Sequence, residues 1–340
     1  MSGTTIKDLP SSIEGLKVFT FLTLKDCKNL VFIPSPIRCL KLLEYLDLSG
    51  CSNCDTLPMN LGNRNGLKEL YLSGTIIKEL SSSIGGLMAL NLLTLKDCNN
   101  LVCIPSIICS LKLLEYLGLS ECSNCDHLPE NLGNLKGLKK LYLSGTSIKE
   151  LPLSIEGLTA LTFLILKDCK NLVCLPSTIC CLKLLECLDL SRCSNYDNFS
   201  ENLGNLKGLK ELYLSGTTIK ELPSSIEGLT AFTFLTLNDC KNLVCLPCTI
   251  CNLKLLEYLD LSGCSNCDKL PGNLGNLNGL DELYFSVINI KVLPSSIEGL
   301  MALTLLTLKD CKNLVCLPST ICCLKLLECL DLSRCSNCDN

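Results

Sequence analysis

The nine residues Leu22 to Leu30, Leu-Thr-Leu-Lys-Asp-Cys-Lys-Asn-Leu, return from Leu93, Leu164, Leu235 and Leu306, each time after 71 residues. The copies are close, with Asn99 or Asn238 replacing a Lys and Ile165 replacing the Thr. Such recurrence constrains a chain more than local propensity does, because one structural unit must be built again and again. The period divides further: Leu22, Leu46, Leu70 and Leu93 stand at steps of 24, 24 and 23 residues. Steps in the range of about 20–29 residues mark single coils of a solenoid, each burying its apolar side against the next coil.

The coil reads as one short strand and a return. In Leu43-Glu-Tyr-Leu46-Asp-Leu48-Ser-Gly-Cys51, Leu46 and Leu48 alternate with Tyr45, Asp47 and Ser49, the period of a strand with one face buried. Strand centres follow at Leu22, Leu46, Leu70, Leu93, Leu117, Leu141, Leu164, Leu188, Leu212, Leu235, Leu259, Leu283, Leu306 and Leu330, about 14 strands in all. The turn after each strand carries Cys (Cys27, Cys51 and their copies) or Thr (Thr75, Thr146, Thr217), the slot where a leucine-rich repeat places its inward-stacking Asn or Cys. Ile288 breaks that slot, so its coil is the most degenerate. Leu-Pro or Ile-Pro (Pro34, Pro58, Pro105, Pro129, Pro152, Pro176) precedes segments such as Ser11–Leu16 and Pro36–Leu43. These are expected to be short helices or 3-10 turns, with Pro in the first turn and Ile13, Leu16, Ile37 and Leu40 inward. The expected fold is an α/β solenoid: a leucine-rich-repeat horseshoe with a parallel β-sheet on the concave face and short helices or 3-10 turns on the convex face. One array is expected to fill residues 1–340, cut through a coil at both ends. Open coil edges of that kind are expected to fray or to associate end to end.

Composition narrows the function. A formal charge of −4 offers no clustered basic footprint, so nucleic acid is not the expected partner. Charged residues interrupt every apolar run well before about 18 residues, so no membrane span is expected. The first residues, Met-Ser-Gly-Thr-Thr-Ile-Lys-Asp, lack the apolar core of an export signal, and 28 cysteines without export are expected to stay reduced. The expected compartment is the cytoplasm, with the nucleus second. C-x-x-C pairs at Cys51/Cys54, Cys122/Cys125, Cys264/Cys267 and Cys335/Cys338 fall on a three-coil period, roughly 14 Å at about 4.8 Å per strand, and Cys245/Cys248 and Cys248/Cys251 add two more. Four ligands from that series cannot meet at about 2.3 Å from one zinc ion, so they read as core and no metal is expected. His127 is the sole histidine, and Asp47, Asp189, Asp260 and Asp331 read as copies of one exposed position. With neither phosphate-binding glycine motif present, no catalytic residue and no cofactor are expected.

The remaining surface is the strand face. Its outward positions carry Phe21, Tyr45, Tyr71, Tyr116, Tyr142, Phe163, Tyr213, Phe234, Tyr258 and Tyr284 among charges. Aromatic anchors on a rigid sheet suit protein recognition, and this set is the candidate binding site. Arg192 joins it, because the column Gly50, Glu121, Arg192, Gly263, Arg334 varies between copies where specificity is expected.

The phrase Leu209-Lys-Glu-Leu-Tyr-Leu-Ser-Gly-Thr-Thr-Ile-Lys-Glu-Leu-Pro-Ser-Ser-Ile226, with Leu235-Thr-Leu-Asn-Asp-Cys-Lys-Asn-Leu243, resembles a known family. It is similar to the leucine-rich-repeat region of plant intracellular disease resistance proteins of the Toll/interleukin-receptor, nucleotide-binding type. The resemblance implies effector sensing, contacts with a host protein or receptor domain, and a role in defence signalling. Residues 1–340 contain no nucleotide-binding or signalling domain, so a truncated or stand-alone repeat region is the expectation. An intracellular signalling scaffold similar to plant Ras-group-related leucine-rich-repeat proteins shares Leu-Pro-x-x-Ile and is the alternative.

Overall fold

The computed structural model describes residues 2–30, 37, 40–57, 61–63 and 66–336. The chain divides into two compact units, residues 1–169 and 170–340. In the first, the strands Phe21–Thr23, Tyr45–Asp47, Glu69–Tyr71, Leu92–Thr94, Tyr116–Gly118, Lys140–Tyr142 and Phe163–Ile165 pair in parallel and in sequence order. In the second, Cys187–Asp189, Glu211–Tyr213, Phe234–Thr236, Tyr258–Asp260, Glu282–Tyr284, Leu305–Thr307 and Cys329–Asp331 do the same. The central Leu of one strand faces the central Leu of the next, as in Leu212↔Leu235, so the inward leucines stack in register. Almost all of these leucines are fully buried, each stabilising by about 1.5–3 kcal/mol. This is the leucine-rich-repeat solenoid expected from the spacing.

The return segments are 3-10 turns of three or five residues, such as Leu203–Asn205 and Ser224–Gly228. Proline stands one place earlier than expected. Pro152, Pro176 and Pro223 precede their turns with extended backbone, φ −64 to −66° and ψ 146 to 148°. There the ring needs no N–H, and the carbonyl takes the first i→i+3 bond, as in Ile226 N–H to Pro223 O at 3.1 Å. Pro34, Pro36 and Pro58 lie outside the described residues. Ile13, Ile37 and Leu40 are buried as expected, but Leu16 is 45% exposed. Its copies Leu87, Leu158, Leu229 and Leu300 are buried.

Adjacent turns approach closely through paired glycines. A Cβ on Gly204 would stand 1.9 Å from the Ser225 carbonyl oxygen, and one on Gly275 would stand 1.7 Å from that of Ser296. Gly133 and Gly62 repeat the contact against Ser154 and Ser83.

Every coil also takes one left-handed step immediately before its Cys or Thr slot. Asp26, Glu121, Arg192 and Val287 adopt φ of 58 to 63°, and Gly50, Gly74 and Gly216 adopt 70 to 73°. Val287 is the costly occupant, since a β-branched side chain crowds its own backbone there. Replacing Val287 with Gly is expected to raise stability by about 1 kcal/mol. A urea midpoint at or below that of the wild type would contradict this reading.

Beyond the step, the Cys slot is a ladder. The Cys98 thiol donates to Leu72 O at 3.2 Å, Cys122 to Leu95 O at 3.1 Å and Cys264 to Leu237 O at 3.1 Å, each reaching the preceding coil. Thr75, Thr146 and Thr217 use their hydroxyls on their own coil, as in Thr217 Oγ1 to Leu214 O at 2.7 Å. Ile288 fills the slot with an apolar, buried side chain. Of the second C-x-x-C cysteines, Cys54, Cys125 and Cys267 are buried too, Cys338 lies outside the described residues, and Tyr196 stands in the same place in the remaining copy. Its ring meets Phe199 edge-on at 5.1 Å, while its hydroxyl is buried with no hydrogen-bond partner among the described residues.

Candidate functional site

A strand of three residues has room for one inward side chain and two outward ones, and the outward pair makes two columns along each unit. Phe21, Tyr45, Tyr116, Phe163, Phe234 and Tyr258 open their strands and occupy the first column. Tyr71, Tyr142, Tyr213 and Tyr284 close theirs and occupy the second. Arg192 is exposed but lies on the left-handed step after its strand, outside both columns.

Parallel strands stand about 4.8 Å apart, which matches the spacing of offset-stacked rings. In the first unit Phe21 stacks on Tyr45 at 4.1 Å, and Tyr45 meets Tyr71 at 5.1 Å. Tyr116 stacks on Tyr142 at 5.2 Å. The second unit carries one unbroken run: Tyr213 to Phe234 at 5.0 Å, Phe234 to Tyr258 at 4.2 Å, and Tyr258 to Tyr284 at 5.2 Å.

Carboxylates fix the ends of the tyrosines. The hydroxyls of Tyr71, Tyr213 and Tyr284 donate to Glu69, Glu211 and Glu282 at 2.7, 3.0 and 2.7 Å. Partial burial, then these carboxylates, raise all three phenols above their ordinary value. Burial with Asp260 and Glu282 nearby pushes Tyr258 up to about 12. The tyrosines therefore stay neutral hydrogen-bond donors across the physiological range.

The second copy differs. Lys140 occupies the position of Glu69, Glu211 and Glu282, and its Nζ lies 5.3 Å from the Phe163 ring centroid. The sequence reading did not single out this cation–π contact or the Glu–Tyr bonds. The signal was present as a lone Lys in a column otherwise held by Glu.

The aspartates are not the exposed copies expected. Asp47 and Asp260 are buried, and Asp189 and Asp331 half-buried. Each carboxylate folds back onto the N–H two residues on: Ser49 at 2.9 Å, Ser191 at 2.8 Å, Ser262 at 2.8 Å and Ser333 at 2.9 Å. His127 is exposed and pairs with Asp126 at 2.6 Å, which holds that carboxyl below its ordinary value. Among the described residues, no three His, Cys, Asp or Glu side chains group as a metal site, and no helix is long and apolar enough to cross a membrane.

Comparison with known proteins agrees with the repeat geometry. The chain is 36% identical over 177 residues to a probable disease resistance protein of Arabidopsis thaliana, a match covering 52% of this chain and 10% of that protein. It is 36% identical over 183 residues to the TMV resistance protein N of Nicotiana glutinosa, covering 53% of this chain and 16% of that protein. These matches span 10% and 16% of the relatives' lengths, so the relatives are far longer. A leucine-rich-repeat protein of Leptospira interrogans has a solved structure with TM-score 0.72 and 25% identity, over 97% of this chain and 94% of its own. A model of the leucine-rich repeat region matches residues 92–216 and 177–289, and a single leucine-rich repeat matches residues 42–63. This chain belongs to the leucine-rich repeat region family.

Proposed function

We propose that the strand face is a protein-recognition surface, and that the chain serves as the recognition module of a plant innate-immune receptor, binding a pathogen effector or a host protein without catalysing a reaction. The observation that carries this reading is the set of outward aromatic runs held in place by neighbouring rings and carboxylates. Preorganised Tyr and Phe side chains lose little rotamer freedom on docking, which is why such residues dominate protein interfaces. The similarity to two disease resistance proteins supports the immune context, and a cytoplasmic site of action is part of the same proposal.

Changing Tyr71, Tyr142 and Tyr213 together to Ala tests the surface. Co-precipitation from plant extract is expected to lose partners that the wild type retains, with affinity for any purified partner falling at least about tenfold, or ~1.4 kcal/mol. Full retention of every partner by a folded triple variant would show that the strand face is the wrong surface.

A further inference from the structure

The outward strand positions of the second unit are acidic. They carry Asp189, Glu211, Asp260, Glu282 and Asp331, and no Lys or Arg. Three of these, Asp189, Asp260 and Asp331, turn one oxygen onto their own backbone. Glu211 and Glu282 instead accept from Tyr213 and Tyr284, side chains that share the outward face. Between them runs the continuous stack Tyr213, Phe234, Tyr258, Tyr284. Positive charge enters only off the strands. Lys210 is paired with Glu186 at 3.1 Å, Arg334 with Asp310 at 3.8 Å, and Arg192 and Lys309 lie on the turn side.

The first unit shows what fits such a place. Lys140 faces Phe163 across adjacent strands, with the ammonium 5.3 Å from the ring centroid. Glu211 faces Phe234 in the same register. There the ring is present and a carboxylate stands where the first unit has its own cation. A cation brought to this position would gain the Glu211 charge beside the aromatic run.

We propose that the strip from Glu211 to Tyr284 docks a Lys- or Arg-bearing extended segment of a protein partner, with cationic side chains at Glu211/Phe234 and at Glu282. This rests on the protein-recognition reading and adds the chemistry of the partner. The two glutamates stand three strands apart, roughly 14 Å at about 4.8 Å per strand, a span that an extended peptide covers in about four residues at ~3.3 Å each.

A dye-labelled octalysine peptide, followed by fluorescence anisotropy at low salt, tests the strip on the whole chain. Two double variants remove the same charge: Glu211→Gln with Glu282→Gln on the strip, and Glu221→Gln with Glu298→Gln on the exposed return side. Gln keeps an acceptor for the tyrosine hydroxyls. The strip double is expected to weaken octalysine binding at least about tenfold, with the return-side double unchanged and an octaglutamate peptide not bound. Equal weakening by both doubles, or none by the strip double, would overturn the proposal. A natural partner that needs Tyr213 yet binds the strip double as tightly as the wild type would overturn the basic segment while leaving protein recognition in place.

Discussion

At pH 10, with reductant present, the protein is expected to be unfolded. Burial pushes the thiols of Cys51 and Cys125 up to about 12, and those of Cys109, Cys169, Cys251 and Cys267 up to about 11. A thiol ionises by losing a proton, so a raised folded pKa means the unfolded chain releases protons first as pH rises. The stability these groups contribute is fully present below their ordinary value near 9.0 and is lost as pH climbs from there toward 11 and 12. At pH 10 each buried thiol has given up on the order of 1 kcal/mol, and the six together several kcal/mol. That is comparable with a whole domain's stability of about 5–15 kcal/mol. Circular dichroism against pH checks it: strand signal is expected to hold at pH 8 and to collapse reversibly around pH 10. Retention of full signal beyond pH 11 would mean the ladder thiols are not sealed in the core.

Gly204→Ala is expected to destabilise by about 3 kcal/mol, at or beyond the upper end of ordinary overpacking. Its Cβ would fall 1.9 Å from a backbone oxygen, that of Ser225, and 3.1 Å from the Gly228 Cα. Neither atom is the end of a flexible side chain, so relief requires separating two coils. Gly272 supplies the control, since a Cβ there meets nothing within 4 Å. Urea midpoints for the two variants are expected to differ widely, with Gly272→Ala within about 0.5 kcal/mol of the wild type. Coincident midpoints would show that turn-to-turn contact is loose.

Much of this fold is legible in the sequence because leucine spacing and strand register are the same information. Leu22, Leu46 and every later strand centre read from the repeat lie in the middle of a three-residue strand. The Cys ladder is legible for the same reason: the slot at Cys51 or Cys264 sits at a fixed offset from the strand and can point only inward. What eluded the sequence depends on contacts between copies. Asp47 and Asp260 look like solvent positions by period, yet a carboxylate can reach the N–H two residues on and bury itself. The Gly204–Gly228 approach joins residues in successive coils and leaves no local trace beyond two glycines.

The candidate site divides along similar lines. Alternation alone places Tyr71, Tyr213 and the other rings outward. It could not say that Tyr213, Phe234, Tyr258 and Tyr284 form one run, or that Tyr116 stacks on Tyr142. Arg192 varies between copies, and its column takes the left-handed backbone step.

The most direct measurement is hydrogen–deuterium exchange on the whole chain, free and saturated with a partner recovered through it. Added protection is expected at the outward strand segments, 211–213, 234–236, 258–260 and 282–284 foremost, with the 3-10 turns at 224–228 and 295–299 unchanged. Protection confined to those turns, with the strand segments exchanging as in the free protein, would contradict recognition by the strand face.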